Sequence, residues 1–145
     1  MEYGSIERAL HIEAPPEVVY QVISTPEHLR QWWPDDADLD PVPGAAGTLS
    51  FGGSVVAPLT VLEADPPRRF SFHWSYDEDS PAPLTVTFDL IPSGAGTLLR
   101  FSEAGFREKG WEAAVLEEWY TDHARGWDHF LPRLTLYAGR LAATR

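Results

Sequence analysis

Apolar and polar residues alternate in short stretches over the first two thirds of the chain, and the period lengthens to three and four in the last third. Over residues 6–13, Ile6, Leu10 and Ile12 share one side of an extended segment, while Glu7, His11 and Glu13 share the other. This predicts a first strand, ended by Ala14-Pro15-Pro16. Val18, Val19, Val22 and Ile23 recur at helical spacing, so a short helix is predicted over 16–24, with Pro16 tolerated in its first turn. A second short helix is predicted over 26–33, stopped by Pro34.

From Gly47 the period is two. Strands are predicted over 47–51, 55–64, 68–76, 84–91 and 97–103, separated by Gly52-Gly53, Asp65-Pro66-Pro67, an acidic loop over 77–83 and Pro92-Ser93-Gly94. The clearest puts Phe70, Phe72, Trp74 and Tyr76 on one face; the next puts Leu84, Val86, Phe88 and Leu90 there. Successive turns of this length imply an antiparallel meander. Trp111, Val115 and Trp119, then Trp127, Phe130, Leu131, Leu134, Ala138 and Leu141, mark one helix of about 30 residues. Gly126 weakens that helix, and Pro132 should bend it by removing the bond to the Asp128 carbonyl. A sheet with one apolar face must cover it, and this helix is the only long amphipathic cover. The expected architecture is α+β: a curved antiparallel sheet gripping a long C-terminal helix, two short helices plugging the open end, and an apolar cavity between sheet and helix. One domain spanning 1–145 is expected.

Composition narrows the function. The absence of Cys excludes disulfides and thiolate metal sites, and the absence of Asn excludes N-glycosylation. A net charge of −11, with Lys109 as the sole lysine, disfavours nucleic acid. No stretch is long enough to span a membrane, and the acidic N-terminus is unlike a signal peptide, so a cytoplasmic protein is expected.

The order and spacing of several pieces resemble the START-like superfamily, with its polyketide cyclases, lipid-transfer domains and birch-pollen-allergen class. Within it the chain most resembles the group related to the activator of the ninety-kilodalton heat-shock-protein ATPase. The pieces are Ala14-Pro15-Pro16-Glu17-Val18-Val19, Thr25-Pro26-Glu27-His28-Leu29 followed by Trp32-Trp33, Pro66-Pro67-Arg68-Arg69-Phe70 through Trp74, Val86 to Leu90, Gly96-Thr97 with Phe101, Gly105-Phe106, and Gly126-Trp127 to Leu131 and Leu134. The resemblance implies the helix-grip fold and binding of hydrophobic ligands such as lipids, with no shared catalytic residues. Eukaryotic co-chaperones of that group carry a separate N-terminal domain, whereas this chain begins at the first strand, which sets a co-chaperone role behind ligand binding.

Asp36, Asp38 and Asp40 open like a calcium loop, but Pro41 stands where Gly is required and Gly47 where the bidentate Glu is required. The five histidines form no metal motif; His123 and His129 point apart on a helix, and Asp122 reads as ordinary helix-surface pairing. No metal or other cofactor is expected. Nucleophile signatures are absent. Glu103 shares parity with Leu99 and Phe101 and is the candidate catalytic carboxylate, against the alternative that it reaches water at its strand end. Arg8 is a candidate for the cavity rim, against pairing with a surface acid. The candidate ligand-binding set is Trp32, Trp33, Phe51, Phe72, Trp74 and Phe88, with Phe101, Trp119, Trp127 and Leu131. Trp32 and Trp33 cannot both face inward from a short helix, so one of them is expected in a lid or at the surface. The leading function is binding of a small hydrophobic or aromatic ligand, by a monomer or homodimer that does not enter a membrane. A cyclase, dehydratase or hydrolase using Glu103, and a protein–protein adaptor presenting exposed aromatics, are the alternatives.

Overall fold

The computed structural model describes residues 4–53, 55–75, 83–106 and 113–144. Seven strands make one antiparallel sheet: β1 (Ser5–Ile12), β2 (Asp36–Asp38), β3 (Ala46–Phe51), β4 (Val55–Asp65), β5 (Arg69–Trp74), β6 (Leu84–Ser93) and β7 (Gly96–Ala104). Their order is β1-β7-β6-β5-β4-β3-β2, so the meander runs unbroken and the first strand closes on the last. Helices α1 (Pro16–Ser24) and α2 (Pro26–Leu29) follow β1, and α3 (Ala113–Ala143) ends the fold.

Parity governs which side chains turn inward. Leu84, Val86, Phe88 and Leu90 of β6 are buried, while Thr85, Thr87 and Asp89 between them are only partly so. The β6–β7 hairpin turns on Gly94-Ala95, with the positive φ at its first residue that a type II′ turn needs. In β4 the pairing slips between Val61 and Glu63, a bulge that bends the strand and leaves Leu62 on the outer face.

The inner face is covered differently from the expectation that α3 alone would do it. Helix α1, with Val18, Val19, Val22 and Ile23 buried, lies against β5, β6 and β7 and against α3. Helix α3 lies along β1 and continues through Gly126 and Pro132 as a single 31-residue element. Trp33 sits between Trp127 of α3 and the middle strands, with Trp32 beside it between α1 and Phe88. The second helix stops at Leu29, short of the expected Trp33, and Gln31–Trp33 form a turn instead. Release from helical geometry lets both tryptophans turn inward, stacked with centroids 5.8 Å apart, so neither is the expected lid or surface residue. The aspartates that open like a calcium loop lie in part on the edge strand β2, where Ala37 is buried between exposed Asp36 and Asp38. Tyr76, Trp111 and most of the 77–83 loop lie outside the described residues.

Side-chain bonds fix α3 at three levels. Tyr120 donates its hydroxyl to the Ser5 carbonyl, Tyr137 bonds His28 of α2, and Arg8 grips Asp128 through two nitrogens at 2.7 and 3.2 Å. Arg8 therefore pairs with an acid on α3 and does not reach the cavity, overturning its candidacy for the rim. The Arg8 hydrogen bond holds the Asp128 carboxyl below the usual carboxylate range. A carboxyl depressed on folding stabilises above its unfolded value and loses that contribution as acid protonates it. Both side chains are part-exposed, so Asp128→Asn should lower stability by no more than about 1 kcal/mol at neutral pH. Denaturant titrations should show this gap closing as the pH falls through and below about 4.

Candidate functional site

Strand β7 carries Glu103 inward near its end, where its side chain is wholly buried. The expectation that it reaches water fails, because α3 passes over it. Trp74 at the end of β5 donates its indole N–H to Oε2 at 2.9 Å. Trp127 of α3 donates to Oε1 at 3.0 Å, and His123 Nδ1 lies 2.7 Å from the same oxygen. Three N–H groups from two layers of the fold thus converge on one carboxylate. Charge-assisted bonds of this kind are the stronger class, and a buried carboxylate with fewer would be costly.

Above this clamp lies a half-open cavity of about 470 Å³. Trp33, Phe51 and Trp74 form its sheet side, and two parallel rows of α3 form the other: Trp119, His123 and Trp127, and beside them Asp122, Gly126 and Phe130. Members of each row lie four residues apart, so each row occupies one stripe of the helix. The rings meet at angles that make the wall concave: Trp33 stands 81° to Trp74 and 45° to Trp127, at centroid distances of 5.3 and 4.7 Å. Gly126 has open space where a Cβ would project.

Of the ten residues expected to bind ligand, Trp33, Phe51, Trp74, Trp119 and Trp127 line the cavity. The other five do not. Trp32 donates its N–H to the Val22 carbonyl and meets Phe88 edge-on. Phe101 lies under Trp127 at 4.5 Å, Phe72 under Trp33 at 6.0 Å, and Leu131 is buried one turn beyond Trp127. These five are core because the tryptophans stand between them and the gap. Glu103 sits behind the lining. Asp122, His123, Gly126 and Phe130 were missed as site residues, although His123 falls midway between Trp119 and Trp127 on the apolar stripe, a placement visible in the sequence. Among the described residues no group of three or more His, Asp or Glu is placed to hold a metal, and no helix is long and apolar enough to cross a membrane.

A sheet that grips a long C-terminal helix over an aromatic cavity defines the helix-grip, START-like class. The family model described as "Activator of Hsp90 ATPase homolog 1-like protein" matches residues 13–139, and the chain belongs to that family. None of the curated proteins matches it. Among solved structures, protein MLL2253 from Mesorhizobium loti is 25% identical, with a TM-score of 0.82 over 94% of this chain and 97% of that one. Protein BH1534 from Bacillus halodurans is 27% identical, with a TM-score of 0.72 over 92% and 96%. The Aha1 dimer from Colwellia psychrerythraea, at 22% identity and a TM-score of 0.74 over 90% and 92%, shares the fold.

The clamp makes a sharp expectation. Glu103→Leu leaves three N–H donors without their acceptor and should destabilise by about 3 kcal/mol or more. Glu103→Gln keeps one oxygen but turns an amide NH₂ toward the remaining donors, and should fall between Leu and wild type. Chemical denaturation followed by tryptophan fluorescence measures both.

Proposed function

We propose that the protein binds a small, largely apolar aromatic molecule in the cavity between α3 and the sheet. One observation carries the reading: a cavity of about 470 Å³ walled mainly by aromatic rings. That volume lies in the range of small-molecule sites. The indole N–H groups of Trp74 and Trp127 are engaged by Glu103, so these rings offer a ligand hydrocarbon and π surface in place of donors. Burying apolar area at roughly 25 cal/mol per Å² supplies the drive, and ordering and lost translational freedom offset much of it, giving micromolar affinity.

A second reading is favoured by one feature. His123 lines the cavity while its Nδ1 is bonded to Glu103, an arrangement in which a carboxylate orients an imidazole for general acid–base work. In that reading His123 is the proton-transfer group and Glu103 positions it, since three donors already occupy the Glu103 oxygens. The adaptor reading has less support, because Trp32 and Trp33, which it needs exposed, are buried.

Gly126 provides the test of ligand binding. Its Cβ position is open, and glycine within a helix costs about 1 kcal/mol against alanine. Gly126→Ala should therefore raise stability by up to about that amount. Gly126→Leu should fold equally well yet fill the cavity, weakening binding of a probe such as naphthalene or a flavonoid at least about tenfold in fluorescence titration. A Leu variant that melts like wild type and still binds the whole panel with undiminished affinity would refute the assignment of the cavity.

A further inference from the structure

Resting on the ligand-binding reading, we propose that the cavity selects ligands bearing a positive charge, an aromatic or apolar body with an amine or quaternary ammonium group. Asp122 lines the cavity and is exposed at its mouth. Its carboxylate makes no hydrogen bond or ion pair among the described residues. It stands beside Trp119 and Trp127 of its own helix and across from Trp33, Trp74 and Phe51. An aromatic ring is negative on its face and positive at its edge. The most positive edges of Trp74 and Trp127, their N–H groups, are turned into Glu103, which lies outside the lining.

Cations are held over such faces, most strongly over Trp and most strongly when desolvated. Quaternary ammonium groups suit this best, since they carry charge with little hydration to lose. Among the described residues no Lys or Arg lines the cavity, and the neighbouring Arg125 is exposed outside it. The remaining titratable group in the lining is His123. Its Nδ1 is bonded to the Glu103 carboxylate, and among the described residues no cation pairs with Asp122. The net charge of −11 adds a field of the same sign, drawing cations toward the molecule.

Two isosteric probes separate charge from shape, para-hydroxyphenyltrimethylammonium and neutral para-tert-butylphenol, and the smaller anionic para-hydroxybenzoate tests the opposite charge. Isothermal titration calorimetry of the full chain should rank them in that order, with the ammonium at least about tenfold tighter than the butyl compound. Asp122→Asn, an exposed change that leaves the core intact, should cut that ratio at least about fivefold. Equal or tighter binding of the butyl compound would overturn charge selection and leave the ligand-binding reading standing, as would a benzoate that binds tightest. An ammonium preference unmoved by Asp122→Asn would overturn the role of Asp122, and with it this inference. If none of the three binds, the inference and the ligand-binding reading fail together.

Discussion

The carboxylate of Glu103 is the point at which sheet, helix and cavity meet. It is wholly buried, so its charge must be met by nearby donors, and the three that meet it come from β5 and α3. Each bond constrains an element that a purely apolar contact would let slide. Trp74 cannot rotate away from the end of β5, and one face of α3 is held in register by Trp127 and His123 together. Leucine and phenylalanine packing supplies most of the burial energy, but it is nondirectional. The carboxylate adds direction beside the cavity, where it ties the two layers together.

That separation is what keeps a cavity open. Sheet and helix are joined at the clamp, along β1, and through Trp33, while Gly126 contributes no side chain to the space between. The tryptophans serve both roles because of their size. Trp33 touches core rings on one side and the cavity on the other, and Trp127 does the same above Phe101. A smaller side chain would fill only one of these positions.

Most of the fold was legible from periodicity, since parity in the strands and spacing of three and four in α3 both follow from burial on one side. What failed were features set by tertiary contact. The pattern predicts helix through Trp33 because Pro34 is a natural stop, whereas burial of two adjacent indoles ends α2 at Leu29. The edge strand β2 is three residues long, too short to show alternation. At the site, Glu103 could be placed on the inner face but not seen as a clamp, because its partners lie at least twenty residues away in sequence. His123 differs: the sequence pattern raises it only as a metal ligand beside His129, although its place on the apolar stripe marks it as facing inward.

The closure of β1 on β7 has a consequence for how the molecule comes to be made. Ser5 pairs with Ala104 and Ile12 with Thr97, so β1 finds its hydrogen-bonding partner only after the whole meander has emerged from the ribosome. Until then its backbone is unpaired along its length, and α3, which lies against it, has not been synthesised. Topologies dominated by such distant pairing fold slowly. The nascent chain must carry an open strand edge and an uncovered apolar face through most of its translation, a period in which shielding by chaperones matters more than for a protein built from local contacts.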